Sequence, residues 1–214
     1  MTEIDGTPAL VAADVRRLRQ SLTTGGVVVF PTDTVYGLGC DPDDEAAVRR
    51  LYELKGRPPE RPAAIMFFAL STALHALPEL GERERAAIAA LLPGPLTILL
   101  PNPQRRYPLA CGPNPVTLGL RVPRLPRRLA ALEGLERPLL QSSANFSGEP
   151  DARALSQVPA ELRARADLVL DGGELPGTAS TVIDLGEYER TGRWRIVREG
   201  PVGEGEIERV LGSC

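Results

Sequence analysis

Apolar positions along the chain fall into two rhythms, and the switches between them mark the elements. Val11, Val15, Leu18 and Leu22 recur at spacings of three and four, which is one face of a helix, and Gly25-Gly26 stops it. Val27 to Phe30 is an unbroken apolar run after that stop and reads as a buried strand. The chain then turns through Pro31-Thr32-Asp33-Thr34. A second helix starts near Asp43 or Asp44, either a fair N-cap, turns Val48, Leu51 and Tyr52 inward and ends at Lys55-Gly56. Ala63 to Ala69 reads as another buried strand. Glu82 to Leu92 reads as a helix stopped by Pro93-Gly94-Pro95, and Leu96 to Leu100 as a strand.

The cleanest alternation lies in Val116 to Val122. Val116, Leu118, Leu120 and Val122 point one way, and Thr117, Gly119 and Arg121 point the other. A short helix is expected over 126–132, a strand over Leu139 to Ser142, a helix over 159–166 and an extended piece over Leu168 to Leu170. Thr181 to Leu185 and Trp194 to Val197 read as strands, and Glu204 to Leu211 as the last helix. Strands and helices alternate, but not strictly, and strands follow one another directly near 181–197. This predicts an α/β fold with a mixed sheet in a single unit spanning residues 8–212. The stretch 101–115, PNPQRRYPLACGPNP, is too rich in proline and glycine for a regular element and is expected to be a mobile loop, with Arg105 and Arg106 placed to close over phosphates.

Composition removes several classes. Cys40, Cys111 and Cys214 are odd in number and far apart, which predicts neither a disulfide framework nor a zinc site. The N-terminal MTEIDGTPAL carries no basic patch ahead of an apolar run, and stretches such as Ala63 to Leu70 are too short to span a bilayer, so a cytoplasmic protein without a membrane role is expected. The net charge of −3 argues against non-specific coating of nucleic acid. His75 is the one histidine, in a Ser- and Leu-rich segment, and reads as a helix-surface residue; His-based triads and metal clusters are therefore unavailable. Lys55 is the one lysine among 25 lysines and arginines, which asks what an ammonium does there that a guanidinium cannot.

Candidate chemistry gathers at strand ends, where open α/β sheets bind ligands. PTDTVYGLG, Pro31 to Gly39, follows the first strand, and no GxxxxGK[ST] phosphate loop occurs anywhere. Lys55-Gly56-Arg57 offers a point charge and a bidentate fork for phosphate oxygens, though a helix end also explains it. Thr117 and Arg121 share a strand face about 13 Å apart. Gln141 to Gly148, QSSANFSG, offers small hydroxyls and an amide at a turn. Ser180 and Arg198 sit at two further strand ends.

Together PTDTVYGLG, KGRP, PGPLT, GLRVP, SSANFSG and STVID resemble, in order and spacing, the YrdC-like family, over about Ala12 to Gly200. The resemblance implies a twisted mixed sheet flanked by helices, a deep cationic cleft, and a threonylcarbamoyl-adenylate synthase that joins L-threonine, bicarbonate and ATP with release of pyrophosphate. By motif position, Thr34, Arg121 and Ser180 would hold threonine. Lys55, Arg57, Thr117, Ser143 and Arg198 would hold ATP, with Asn145 shaping the turn, and Lys55 and Arg57 would stabilise charge in the reaction. Magnesium would accompany ATP, with no metal site of the protein's own. The product would pass to proteins that modify tRNA, and weak tRNA binding is a further expectation. Met66 stands where some longer relatives have a histidine near threonine. A carbamoyltransferase built on the same domain, or a double-stranded RNA-binding module without chemistry, are the competing readings.

Overall fold

The computed structural model describes residues 9–212, so the first residue of the expected unit, Cys214 and the N-terminal segment read for a leader lie outside the described residues. Helix α1 (Ala12–Thr23) buries Val15, Leu18 and Leu22, and the Asp14 carboxylate accepts the Val11 N–H at its start at 3.0 Å. Strand β1 (Val28–Phe30) is buried throughout. Helix α2 (Glu45–Lys55) starts at Asp44, whose side chain accepts the Ala47 N–H at 3.0 Å, and stops at Gly56 in the left-handed region (φ 57°), where glycine carries no Cβ penalty. The remaining elements are β3 (Ala64–Met66), α3 (Leu70–Ala76), α4 (Glu82–Leu91), β4 (Leu96–Pro101), β5 (Thr117–Arg121), β6 (Leu139–Ser143), α5 (Ala160–Arg165), β7 (Leu168–Val169), β8 (Thr181–Asp184), α6 (Tyr188–Thr191), β9 (Arg195–Arg198) and α7 (Glu204–Leu211). The helix expected over 126–132 is a 3-10 stretch, Arg127–Gly134.

The connection near 181–197 differs from the sequence expectation: a short helix, α6, separates β8 from β9, where the strands were expected to follow one another directly. The end of PTDTVYGLG is not a loop but a further strand, β2 (Gly37–Cys40), antiparallel to β1 and buried at every position. Its glycines explain both the strand and its concealment. A Cβ at Gly37 or Gly39 would meet the Phe30 ring at 3.0 or 2.9 Å, so the ring occupies the space that side chains would fill. A GLGC string has little strand propensity of its own. Packing against Phe30 and pairing with β6 supply what propensity lacks.

The strands form one mixed sheet in the order β7-β1-β2-β6-β3-β5-β4-β8-β9. Three pairs are parallel (β1 with β7, β3 with β5, β4 with β8) and the other five are antiparallel, three of them in a row from β1 to β3. Helices α1, α2 and α5 pack at the β7–β1–β2 end, and α4, α6 and α7 pack on one another. The alternation read in β5 is kept: Leu118 and Leu120 are buried in the core, and Thr117, Gly119 and Arg121 face a cavity on the other side of the sheet. His75 is exposed on α3. Among the described residues no helix is long and apolar enough to cross a membrane.

The segment after β9 folds back onto the start of β8. A Cβ at Gly200 would lie 2.4 Å from the Thr181 nitrogen and 2.6 Å from the Ala179 carbonyl, both backbone atoms that cannot swing aside. Gly200→Ala is therefore expected to lower stability by about 1–3 kcal/mol, through overpacking. A urea denaturation midpoint equal to that of the unchanged chain would contradict the close approach.

Candidate active site

The turn between β1 and β2 is built by Thr32. Its hydroxyl accepts the Thr34 N–H at 3.1 Å and lies 2.7 Å from the Val35 carbonyl, a local substitute for ladder bonds. This fixes Asp33 and Thr34 against the C-terminal end of β5. Arg121 Nη2 donates to Asp33 Oδ1 at 3.0 Å and to Thr34 Oγ1 at 3.1 Å, and Nη1 donates to Gln141 Oε1 at 3.3 Å. The other Asp33 oxygen accepts the Arg124 N–H at 2.9 Å. Both side chains of the ion pair are only 5% exposed. Burial lowers the affinity of Arg121 for its proton, against the pull of Asp33. Burial also raises the Asp33 carboxyl above its ordinary value, outweighing the Arg121 charge that pulls it down. Arg121 Nε is buried without a hydrogen-bond partner, a donor left for something else.

Above this pair, a coil from Asp171 to Ala179 is tied down. The Tyr36 hydroxyl accepts the Gly172 N–H at 3.0 Å and lies 2.9 Å from both Asp171 Oδ1 and the Gly173 carbonyl; Gly177 N–H donates to the Thr34 carbonyl at 2.9 Å. The coil delivers Ser180, whose hydroxyl meets Thr97 Oγ1 at 2.8 Å. Arg198 folds onto the same residue, with Nη2 donating to the Ser180 carbonyl at 2.6 Å.

Lys55 is buried like Arg121, but its partners are oxygens of a single turn. Its side chain is inside the protein, 2% exposed, and its ammonium donates to the Ser143 carbonyl, to the Asn145 carbonyl at 2.7 Å and to Asn145 Oδ1 at 3.1 Å. Three acceptors meet three N–H donors. The Lys55 carbonyl also accepts the Ser147 N–H at 3.0 Å, and Ser143 Oγ donates to Asn145 Oδ1 at 2.6 Å. The whole SSANFSG turn is thus wrapped around one ammonium. Burial, helped by the Arg57 charge, pulls the Lys55 amine down to about 8. Arg57 itself donates to the Pro62 carbonyl at 2.6 Å, stands 5.8 Å over the Tyr52 ring and keeps a buried Nε without a partner.

These groups border a cavity of about 540 Å³. Its floor is a single rung across the sheet: Gln141, Ala64, Gly119, Leu99, Asp184 and Arg195 lie side by side in register on six strands. Small residues at Ala64 and Gly119 give it depth. Of the residues singled out from sequence, Arg57, Thr117, Arg121, Ser143, Ser180 and Arg198 line the cavity. Thr34 reaches it through Arg121, and Lys55 and Asn145 stand behind Ser143. A phosphate reaching Lys55 would have to displace one of its three oxygens. Met66 is wholly buried and sits opposite Arg121 in the β3–β5 register. Arg106, expected over phosphates, is drawn to Glu79 (2.7 Å), while Cys111 and Asn114 of the same segment border the cavity.

Sequence reasoning gave no role to Asp33, Gln141 or Asp151. Asp33 carried a usable signal, since a carboxylate at a buried strand end needs a cationic partner, but nothing along the chain says which arginine. Among the described residues no cluster of three or more His, Cys, Asp or Glu could hold a metal ion. Burial pushes the Cys111 thiol up, away from a nucleophilic thiolate. The cavity lining offers guanidinium charge and hydroxyl groups, with Asp151 and Asp184 as its carboxylates.

The mixed α/β sheet thus carries an arginine-lined pocket over its strands. The family model for Sua5, YciO and YrdC proteins, described as "Telomere recombination", matches residues 20–200, and the chain belongs to that family. It is 35% identical over 190 residues to the threonylcarbamoyl-AMP synthase of Pyrococcus abyssi, which covers 88% of this chain and 54% of that protein. The chain thus spans about half the length of that relative. It is 40% identical over 169 residues to the threonylcarbamoyl-AMP synthase of Chromohalobacter salexigens, 77% of this chain and 89% of the other. The structure of P. abyssi Sua5 complexed with L-threonine matches with a TM-score of 0.78 and 32% identity, over 95% of this chain and 58% of that one. E. coli YciO matches with a TM-score of 0.74 and 28% identity, over 94% and 95%.

Because Lys55 is the only lysine, selective 13Cε-lysine labelling gives one resonance. It is expected to titrate near 8; a midpoint near ~10.4, the solvated value, would show that the ammonium is not caged. Lys55→Arg puts a planar fork where three oxygens converge on one nitrogen. It is expected to cost about 1–3 kcal/mol, through unsatisfied carbonyls, and to remove most turnover, read by thermal unfolding and product formation side by side.

Proposed function

We propose that this chain condenses L-threonine, bicarbonate and ATP into threonylcarbamoyl-AMP and pyrophosphate, supplying an activated carbamoyl group for the modification of tRNA adenosine. The observation that carries this reading is the pair of buried, unpartnered guanidinium N–H groups, Arg57 Nε and Arg121 Nε, at a cavity also lined by Arg198 and three hydroxyls, Thr117, Ser143 and Ser180. The names of the relatives point the same way.

The chemistry suits a site without histidine. Bicarbonate dehydrates to carbon dioxide, threonine's amine adds to it as a carbamate with loss of a proton to solvent, and a carbamate oxygen attacks the α-phosphate as its bond to the bridging oxygen breaks and pyrophosphate leaves. The nucleophile is already an anion, so no strong base is needed. The cationic surroundings also disfavour the protonated amine, which helps the first capture. What the chain must supply is position and compensating charge.

Arg121 takes the threonine carboxylate through its free Nε edge, with the Ser180 hydroxyl beside it and Thr34 holding the guanidinium from behind. Arg57 and Arg198 face the phosphates, and Thr117 and Ser143 donate to them. Lys55 and Asn145 hold Ser143 in place through the turn, and Lys55 adds its charge from behind. Magnesium supplies neutralisation of phosphate charge when it arrives with ATP. Among the cavity's carboxylates, Asp151 is the residue that would hold it, because Asp184 is engaged by Arg195 at 2.8 Å.

Mass spectrometry of the protein incubated with ATP, L-threonine and bicarbonate tests the reaction directly. A threonylcarbamoyl-AMP mass is expected, and pyrophosphate release without threonine dependence would overturn the reading. Arg121→Lys, which retains a counter-charge for Asp33 but loses the fork, is expected to raise the threonine requirement roughly ten- to a hundred-fold with little change in that for ATP. Equal weakening of both substrates would put Arg121 at the wrong end of the ligand.

A further inference from the structure

Gln141 borders the cavity from β6 and is only 5% exposed. Its Oε1 accepts from Arg121 Nη1 at 3.3 Å. A guanidinium offers donors alone, so this contact decides which way round the amide stands: oxygen to Arg121, nitrogen away from it. The nitrogen is directed to the next rung of the sheet. A Cβ at Gly37 would come within 3.3 Å of Gln141 Nε2, and Gly37 pairs with Ser143 in the β2–β6 register. Among the described residues Nε2 has no hydrogen-bond partner. An unpaired N–H so nearly enclosed is costly, and an apolar side chain would fill the same space without it.

Position says what this donor meets. Ser143 stands two residues further along β6, on the same face and about 7 Å away. It lies beside Lys55, at the end of the cavity given to the phosphates. Arg121, on the other side of Gln141, is given to the threonine carboxylate. In threonylcarbamoyl-AMP the carbamate is the piece that joins threonine to the α-phosphate, so the amide stands at the junction. We propose that Gln141 Nε2 donates to one oxygen of the threonine carbamate and thereby holds the other toward the α-phosphate. The inference rests on the reading of the cavity as the site of threonylcarbamoyl-AMP formation, and it adds a contact to the part of the substrate that reacts. A neutral donor suits that part. A cation would hold the carbamate more tightly, but it would draw off the charge that the attacking oxygen needs. The two ends of one amide then set the spacing between carboxylate and carbamate, the oxygen through Arg121 and the nitrogen directly.

Two variants separate the ends of the amide. Gln141→Met keeps the volume and loses both polar atoms, whereas Gln141→Glu keeps an oxygen for Arg121 and loses the N–H. Pyrophosphate release is followed as bicarbonate is varied at saturating ATP and L-threonine. L-Threonine is also titrated calorimetrically into each intact chain in carbon dioxide-free buffer, where no carbamate forms. Gln141→Met is expected to lower turnover per unit of bicarbonate roughly ten- to a hundred-fold, the loss of one hydrogen bond to an anion. Its affinity for threonine alone is expected to change less than about three-fold, because Asp33 and Thr34 still hold Arg121 through Nη2. Gln141→Glu is expected to be no more active than Gln141→Met. Three results with an active unchanged chain overturn the proposal alone: unaltered bicarbonate dependence in Gln141→Met, a loss of threonine affinity as large as the loss of turnover, or recovery of turnover in Gln141→Glu, which would leave the oxygen facing Arg121 as the only part that matters. An unchanged chain that releases no bicarbonate-dependent pyrophosphate overturns the reading of the cavity, and the carbamate contact with it.

Discussion

A guanidinium buried at the end of a strand must be compensated, and much of the site is organised around doing so for Arg121. Removing one partner of such a buried pair typically costs about 3–5 kcal/mol, a large share of a domain's whole stability. The compensation comes from three side chains on two separate parts of the chain. Asp33 arrives from the β1–β2 turn, Thr34 from the same turn one residue on, and Gln141 from β6. Thr32 then exists to hold that turn, and Tyr36 and Gly177 to hold the coil above it. Asp33 spends its second oxygen on the Arg124 backbone, so the strand end is clamped as well as the side chain. What remains uncompensated is the buried Nε–H of a guanidinium that lines the cavity.

Lysine and arginine divide the electrostatic work according to shape. The arginines of the cavity present planar edges, some satisfied by backbone carbonyls and some open. Lys55 presents a compact head with three donors, and three oxygens of one turn close on it. A chain that otherwise uses arginine keeps lysine where a point, not a fork, fits. The residue's value to Ser143 is then mechanical as much as electrostatic.

Most of the fold was legible because its signals are local and redundant. The 3–4 spacing of α1, the Asp44 cap and Gly56 stop of α2, and the alternation of β5 each follow from a handful of neighbouring residues. Strand β2 was not legible, because its reason lies in the Phe30 ring and in pairing with β6, a hundred residues away along the chain. The motifs located the cavity-lining residues but not their directions. Nothing in KGRP says that the lysine points inward to carbonyls while the arginine two positions on reaches the cavity wall. Asp33 was hidden for the same reason: its role is a pairing, and pairings between residues 33 and 121 are not written in either neighbourhood.

The seclusion of Lys55 has a bearing on how this protein meets the rest of a cell's chemistry. Acetylation, ubiquitin transfer and glycation of lysine need an accessible ε-amine, and the only one this sequence possesses is locked inside the folded chain. Such reactions therefore have no lysine to act on until the SSANFSG turn opens. Modification of Lys55 itself by an amine-directed reagent becomes a counter of opening events, since each molecule modified there records one excursion in which the turn let go of its ammonium. The same residue that holds the site together thereby reports, irreversibly, every time it fails to.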